Sequence, residues 1–340
     1  MYGCLLANKN ALKASVIILS LWMVALLSAL SISLSYGIRQ KAVLVRRLEE
    51  KRRASSLLEG AVIKAVSYLR KQIPQGYLGL NDNLINNPFD FKDMDFGDDF
   101  VSFAYNFFDD ASGKILTFYG LTDEASKRNI NRAEPLILKQ FFMQLGLDEI
   151  NADEIASSIV DWRDSDNLLC SPNSAEDTYY HFLEPFYEAK DSDFEILEEL
   201  LLVRGMNKEL FTKAKDYLTI YGDGKVNINT ASKIVLVALG LNPALVDKIV
   251  NFRAGDDGIS GTADDNIFFN LNEIVFRLKS KFDLTSLDIL QLNSIIPKYL
   301  AVDSNFFRIN CTVYKKEGKQ KLNLTAVVNR KGRIFFWQEF

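Results

Sequence analysis

The sequence predicts an α+β fold: one long N-terminal helix, a small antiparallel sheet, and a large all-helical insert that interrupts the sheet. Three observations predict it. Residues 14–38 carry no charge, strand-like segments lie on both sides of the middle of the chain, and the middle itself repeats. At 340 residues, 48% hydrophobic and 25% charged, the chain is long and apolar enough for two or three domains with cores of their own. A formal net charge of −4 argues against a dedicated nucleic-acid binder.

The helix comes first. ASVIILSLWMVALLSALSISLSYGI spans Ala14 to Ile38 behind a short polar leader with Lys9 and Lys13. At a rise of about 1.5 Å per residue it crosses a hydrocarbon core of about 30 Å with some tilt. It runs on without a small-x-small cleavage site, which predicts a lasting single-span anchor. From Arg39 to Leu69 there is no Pro, and no Gly before Gly60. Positions 44, 48, 51, 55, 58, 62, 65 and 69 step by four and three, and all but Lys51 and Ser55 are Leu, Val or Ala. That stripe is a packing face, either for the chain's own domain or for neighbouring helices. Arg39, Lys41, Arg46, Arg47, Lys51, Arg52 and Arg53 follow the span, against two lysines before it. The positive-inside rule alone would leave the bulk of the chain in the cytoplasm.

The strands bracket the middle. Phe100–Phe108 and Lys114–Tyr119 are aromatic and β-branched around an Asp-Asp-Ala-Ser-Gly turn. Phe306–Lys315 and Lys321–Asn329 predict a hairpin across Lys316-Glu317-Gly318, and Arg333–Phe340 a further strand.

Between them, two stretches share an order of motifs. Asn129-Ile130-Asn131-Arg132-Ala133, Leu145-Gly146-Leu147 and Ile159-Val160-Asp161-Trp162-Arg163 return as Asn227-Ile228-Asn229-Thr230-Ala231, Leu239-Gly240-Leu241 and Ile249-Val250-Asn251-Phe252-Arg253. Phe194 to Leu200 and Phe269 to Ile274 continue the match. A duplicated helical unit explains this, with the Asn expected to cap a helix, the Gly to end it in a left-handed turn, and a second helix to carry Ile and Val inward. The expected insert runs over 122–297, with repeats at about 122–217 and 222–297.

Two acidic segments stand out. In AGDDGISGTADDN, Asp256, Asp257, Asp264, Asp265 and Asn266 sit on a Gly-rich backbone with no positive charge. A hard cation such as calcium, with six to eight oxygens at about 2.3–2.6 Å, would neutralise them, and a solvated turn is the alternative. Asp161, Asp164, Asp166, Glu176 and Asp177 occupy the corresponding place in the first repeat. They could hold a second ion or simply pair Arg163.

No catalytic constellation is present. G-x-S-x-G, Walker A, G-x-G-x-x-G, C-x-x-C and H-E-x-x-H are all missing. The single histidine, His181, sits among aromatics and reads as a packed or interfacial residue rather than a base. Cys170 and Cys311 lie in different predicted elements. The sequence reads as a non-enzyme.

Taken together, the chain resembles the minor pseudopilin K family of type II secretion. Ala14 to Trp22 looks like that family's R-G-S-A-L-I-x-x-L-W start. Asp161-Trp162-Arg163-Asp164-Ser165-Asp166 with Ala175 to Tyr180 resembles its D-W-x-D-x-D…G-A-E-D-x-Y-Y stretch. Phe194 to Met206 and Val226 to Leu239 resemble its F-x-x-x-E-E-L-x-x-V-x-G-M and V-N-I-N-T-A-x-x-x-V-L-x-A-L segments. The resemblance implies a pilin-like body carrying helix-hairpin-helix-like (SAM-like) units. It divides the chain into a prepilin leader (1–14), a transmembrane helix (15–38), its periplasmic continuation (39–73), a first sheet part (74–121), the insert and C-terminal strands (298–340).

It also implies cleavage by a prepilin peptidase between Ala14 and Ser15, methylation of the new N-terminus, and calcium in the insert. Ala14 stands where glycine is usual, and Leu19 where most pilin-like chains carry Glu. The implied location is the inner membrane of a Gram-negative bacterium, single pass, with the body in the periplasm. The implied partners are minor pseudopilins I and J and the major pseudopilin, with Leu44, Leu48, Leu58, Val62 and Leu69 packing on partner helices at the tip of the pseudopilus, where assembly begins. The alternative is a membrane-anchored helix-hairpin-helix DNA-binding protein. Its hairpin would be Leu239-Gly240-Leu241-Asn242-Pro243, with one glycine, a proline lacking N–H and no basic cluster. That argues for a scaffold without nucleic acid.

Overall fold

The computed structural model describes residues 4–71, 75–316, 318 and 320–340, and of 4–15, 320 and 321 the backbone alone. It divides into two compact units, 1–56 and 57–340.

Helix α1 runs unbroken over Cys4–Lys71. Its first unit is exposed from Val16 through Glu49 except at Gly37, as expected of a stretch made for lipid. It contains the one helix among the described residues long and apolar enough to cross a membrane. In the second unit, Leu58, Ala61, Val62, Ala65 and Leu69 are all nearly inaccessible, a face spaced at three and four residues. The opposite edge of these turns is tied down by polar contacts. Tyr68 Oη donates to Asp90 at 3.1 Å, and Arg70 Nε donates to the Lys331 carbonyl at 3.0 Å. Tyr68 meets Phe91 of α2 (Pro88–Phe91) edge-on, and Phe91 meets Phe103 in the same way, which carries the packing from helix to sheet.

The strands are β1 (Met94–Asp95), β2 (Asp99–Asp109), β3 (Lys114–Tyr119), β4 (Thr122–Asp123), and, after the insert, β9 (Phe306–Lys315), β10 (Gln320–Asn329) and β11 (Ile334–Glu339). Among the described residues they form one antiparallel sheet in the order β1-β2-β9-β10-β11, with β3 on β2 and β4 on β9. Phe103 opposite Cys311 and Asp99 opposite Lys315 fix the register across the insertion point. Alternation in β9 turns Phe307, Ile309, Cys311 and Val313 inward. One sheet interrupted by a helical insert is what the strand segments predict. Thr122 and Asp123 belong to the sheet, because they pair with Arg308 and Phe307; the insert therefore occupies the chain between Asp123 and Phe306. Of the predicted 316–318 turn, Glu317 lies outside the described residues.

The insert opens with β5 (Arg128–Asn129) and continues through α3 (Pro135–Gln144), α4 (Glu149–Arg163), α5 (Asp177–Tyr180) and α6 (Lys208–Ala214) to β6 (Leu218–Thr219). It starts again at β7 (Val226–Asn227), followed by α7 (Lys233–Ala238), α8 (Pro243–Arg253), α9 (Ile274–Lys281) and α10 (Ser286–Tyr299), and closes at β8 (Leu300–Ala301). The pairs β5–β6 and β7–β8 are both parallel and two residues long, so each half is closed by its own miniature ladder. Each half also has its own core, one around Phe141, Phe142, Ile159 and Trp162, the other around Leu236, Leu245, Ile249 and Phe268.

Candidate functional site

The two halves of the insert are held by the same hydrogen bonds. Asn129 Oδ1 accepts from Asn131 N at 2.8 Å, and Asn227 Oδ1 from Asn229 N at 3.0 Å. Asn131 exchanges both its amide groups with the Phe194 backbone (3.0 and 2.8 Å), and Asn229 does the same with Phe268 (2.9 and 2.8 Å). Arg163 donates to the Ile130 and Ala133 carbonyls, while Arg253 donates to those of Ile228 and Ala231 at 2.8 and 2.7 Å. Glu199 accepts from the Glu195 and Ile196 amides, and Glu273 from those of Phe269 and Asn270.

Two corrections follow. The Asn residues do not cap helices, since α3 starts behind Glu134 and α7 behind Ser232; they brace turns across the core. The third matched segment begins at Phe268, one residue before the sequence alignment, because Phe194 and Phe268 are the equivalent partners. Gly146 and Gly240 both take φ near +97°, the left-handed turn expected of the Leu-Gly-Leu steps.

Two neighbouring carboxylates fasten this insert to the sheet. Asp123 Oδ2 accepts from Thr230 Oγ1 (2.6 Å) and Asn227 Nδ2 (2.9 Å) of the second half. Glu124, fully buried, accepts from Thr219 Oγ1 (2.5 Å), Arg308 Nε (2.6 Å) and Lys127 Nζ (3.2 Å). Burial alone would raise the Glu124 pKa, but the Lys127 and Arg308 charges hold it down at about 2. Neither residue stood out in the sequence, where an Asp-Glu pair after a strand reads as a solvated turn.

The acidic loop at 254–266 is held by hydrogen bonds of its own. Asp264 Oδ2 accepts from the Asp256 and Asp257 amides at 2.7 and 3.0 Å, and Asp265 from those of Gly261 and Thr262. Asp256 faces Lys281 at 3.0 Å, Asp257 caps Ile259 N, and the Asn266 amide donates to the Phe252 carbonyl. The loop's own N–H groups thus fix the Asp264 and Asp265 carboxylates in place. The loop docks on the sheet, with Ser260 Oγ donating to Asp109 at 2.7 Å. At Gly261 (φ +85°) a Cβ would come within 2.5 Å of the Phe118 ring.

The other cluster is different. Asp161, at the end of α4, is fully buried, and its Oδ1 accepts from Cys170 N at 2.9 Å. Asp161 Oδ2, Asp164 Oδ1 and both Glu176 oxygens are buried without a hydrogen-bond partner. Burial, then the Asp161 and Asp164 charges, push the Glu176 carboxyl up to about 7. Burial and neighbouring carboxylates raise Asp164 as well. Asp177 accepts from Ala189 N and Asp166 is exposed, yet both act on the cluster: Asp166 raises the pKa of Asp161 and Asp164, and Asp177 raises that of Glu176. As they stand, no three His, Cys, Asp or Glu side chains among the described residues are arranged to hold a metal ion. The chemistry of the unpartnered oxygens nonetheless suits a hard cation.

The remaining expected residues are quickly placed. Leu44 and Leu48 are exposed, whereas Leu58, Val62 and Leu69 lie in the core of their own unit and have no surface to offer a partner. Ala14 and Ser15 lie within α1 but outside the described side chains. His181 is half exposed against Glu188 at 3.1 Å, and Cys170 and Cys311 are both free.

Known proteins can now be set beside this geometry. Residues 118–223 match the family model of the type II secretion system protein K. The type II secretion system protein K of Aeromonas hydrophila is 33% identical over 122 residues, covering 34% of this chain and 37% of that protein. Its counterpart in Pseudomonas aeruginosa is 27% identical over 154 residues, covering 42% and 46%. The matched region therefore spans under half the length of these relatives. The fold is shared more widely: a chain in the crystal structure of the GspK–GspI–GspJ complex of the enterotoxigenic Escherichia coli Type 2 Secretion System superposes with a TM-score of 0.62 at 17% identity, covering 84% of this chain and 94% of that one. The chain is thus similar to type II secretion system protein K, in sequence over residues 118–223 and in fold over most of its length.

Proposed function

We propose that the chain is a non-enzymatic minor pseudopilin that stands at the tip of the type II secretion pseudopilus and begins its assembly. The observation that carries this is the fold match, which takes in nearly all of a chain from a GspK–GspI–GspJ complex. The partners are the minor pseudopilins I and J and then the major pseudopilin. The chain is anchored in the inner membrane by α1, with its body in the periplasm, after prepilin peptidase cleaves before Ser15. Leu44 and Leu48 are the stripe residues left exposed for partner helices. The insert between Asp123 and Phe306 blocks addition of a subunit above. Calcium belongs to the same proposal, with Asp161, Asp164 and Glu176 as its ligands; bound there, it would neutralise their charge and stabilise the first half of the insert.

Co-expression with tagged I and J tests the assignment. The proposal predicts a complex with one copy of each, recovered through either tag. Full-length protein that never co-purifies with I and J would overturn it.

A further inference from the structure

Seven cations follow the apolar span, Arg39, Lys41, Arg46, Arg47, Lys51, Arg52 and Arg53, against only Glu49 and Glu50. All seven are exposed, and all lie on the unbroken helix α1. Measured from Ile38, the last residue of the uncharged stretch, Arg39 and Lys41 sit about 2 and 5 Å further along the axis. Arg46 and Arg47 sit at about 12–14 Å, and Lys51 to Arg53 at about 20–23 Å. Steps of about 100° per residue spread these positions round the whole circumference, a collar rather than a face. Arg46 meets Glu50 at 3.5 Å in an exposed pair, which is a weak contact. Arg53 and Glu50 have further partners. Arg39 and Lys41 pair with no carboxylate among the described residues.

We propose that this collar binds anionic phospholipid headgroups of the leaflet from which α1 emerges, with Arg39 and Lys41 as the principal contacts. Like charges crowded at the end of an apolar helix repel unless a counter-charge lies close, and at that depth the available anion is a lipid phosphate. Their flexible stems reach the headgroups while the helix axis stays in the hydrocarbon. Arg39 and Lys41 lie about 200° apart round the axis and so meet headgroups on both sides of the helix, whereas a duplex would meet one side only. The contribution falls off over the Debye length of about 8 Å, so the Lys51–Arg53 trio lies beyond its range. Nothing in the inference depends on which leaflet this is.

The test uses the full-length protein in non-ionic detergent, titrated at low salt with phosphatidylglycerol or phosphatidylcholine, bound lipid being counted by native mass spectrometry. Phosphatidylglycerol is expected to bind more tightly and to lose affinity steeply with salt. Each cation at the surface contributes about fivefold, so R39Q/K41Q should weaken binding about 25-fold. K51Q/R52Q/R53Q should weaken it less than fivefold, and R39K should hold it within twofold, which separates charge from any change in folding. Equal affinity for the two lipids, or a trio that costs as much as the pair, would overturn the proposal. So would displacement of the lipid by a DNA duplex, which would assign the collar to nucleic acid.

Discussion

Replacing Asn229 by Ala removes the amide that joins the start of the second half-insert to its far side. The side chain is 2% exposed and Phe268 is fully buried. The substitution strands the Phe268 N–H and carbonyl, which Asn229 bonds at 2.8 and 2.9 Å. A stranded buried group costs about 1–3 kcal/mol, so the pair costs about 3–5 kcal/mol. Each kcal/mol shifts the midpoint of a domain this large by about 2–4 °C, giving a fall of roughly 10 °C. Near-UV circular dichroism of the full chain through a thermal ramp measures it. Asn131→Ala should cost a similar amount, because Asn131 makes the same exchange with Phe194. Asn242→Ala is the control: Asn242 caps α8 from an exposed position, and its loss costs about 1 kcal/mol. An Asn229→Ala variant no less stable than the Asn242→Ala control would refute the bracing role.

The acidic cluster makes the chain's stability depend on pH. The folded-state pKa of Glu176, about 7, lies above its ordinary value of 4.5, so its contribution is full below 4.5 and lost as pH rises through 7. A metal-free melt should therefore fall between pH 5 and 8, Glu176→Gln should flatten that slope, and calcium at pH 8 should raise the midpoint only when Glu176 is present. Glu124 shows the opposite sign: its depressed pKa gives stability that is present above 4.5 and lost as pH falls toward 2. Glu124→Gln leaves Lys127 and Arg308 without their carboxylate and should cost about 3–5 kcal/mol in urea unfolding. Gly261→Ala should loosen the acidic loop from the sheet, read as faster amide exchange at Ser260, because the new methyl would strike the Phe118 ring at a φ of +85°.

The strands were legible because their alternation and turn residues are local, and β2, β3, β9, β10 and β11 fall within about a residue of the expected segments. The repeat was legible in order, since Asn, Gly and Arg recur in the same sequence of roles. Its register was not. Phe268 and Phe269 are adjacent aromatics, and only the Asn229 exchange identifies which of them matches Phe194. Nor could periodicity show where the stripe on α1 changes partner. Leu44 and Leu58 share a pattern, yet one is exposed and the other is covered by a body distant in sequence. The two acidic segments differ in a way that composition does not show. In the Gly-rich loop, backbone N–H groups bond Asp264 and Asp265. In the other segment α4 buries Asp161, and the chain that follows brings Glu176 to it across fifteen residues; the sequence groups the two, but not that they are buried together.

The membrane-anchored pseudopilin reading is tested most directly at the N-terminus. Intact mass and N-terminal sequence would be measured on protein from native membranes. The account predicts a chain that begins at methylated Ser15, cut after Ala14. A chain that retains Met1, in a strain whose other pseudopilins are processed, would contradict it.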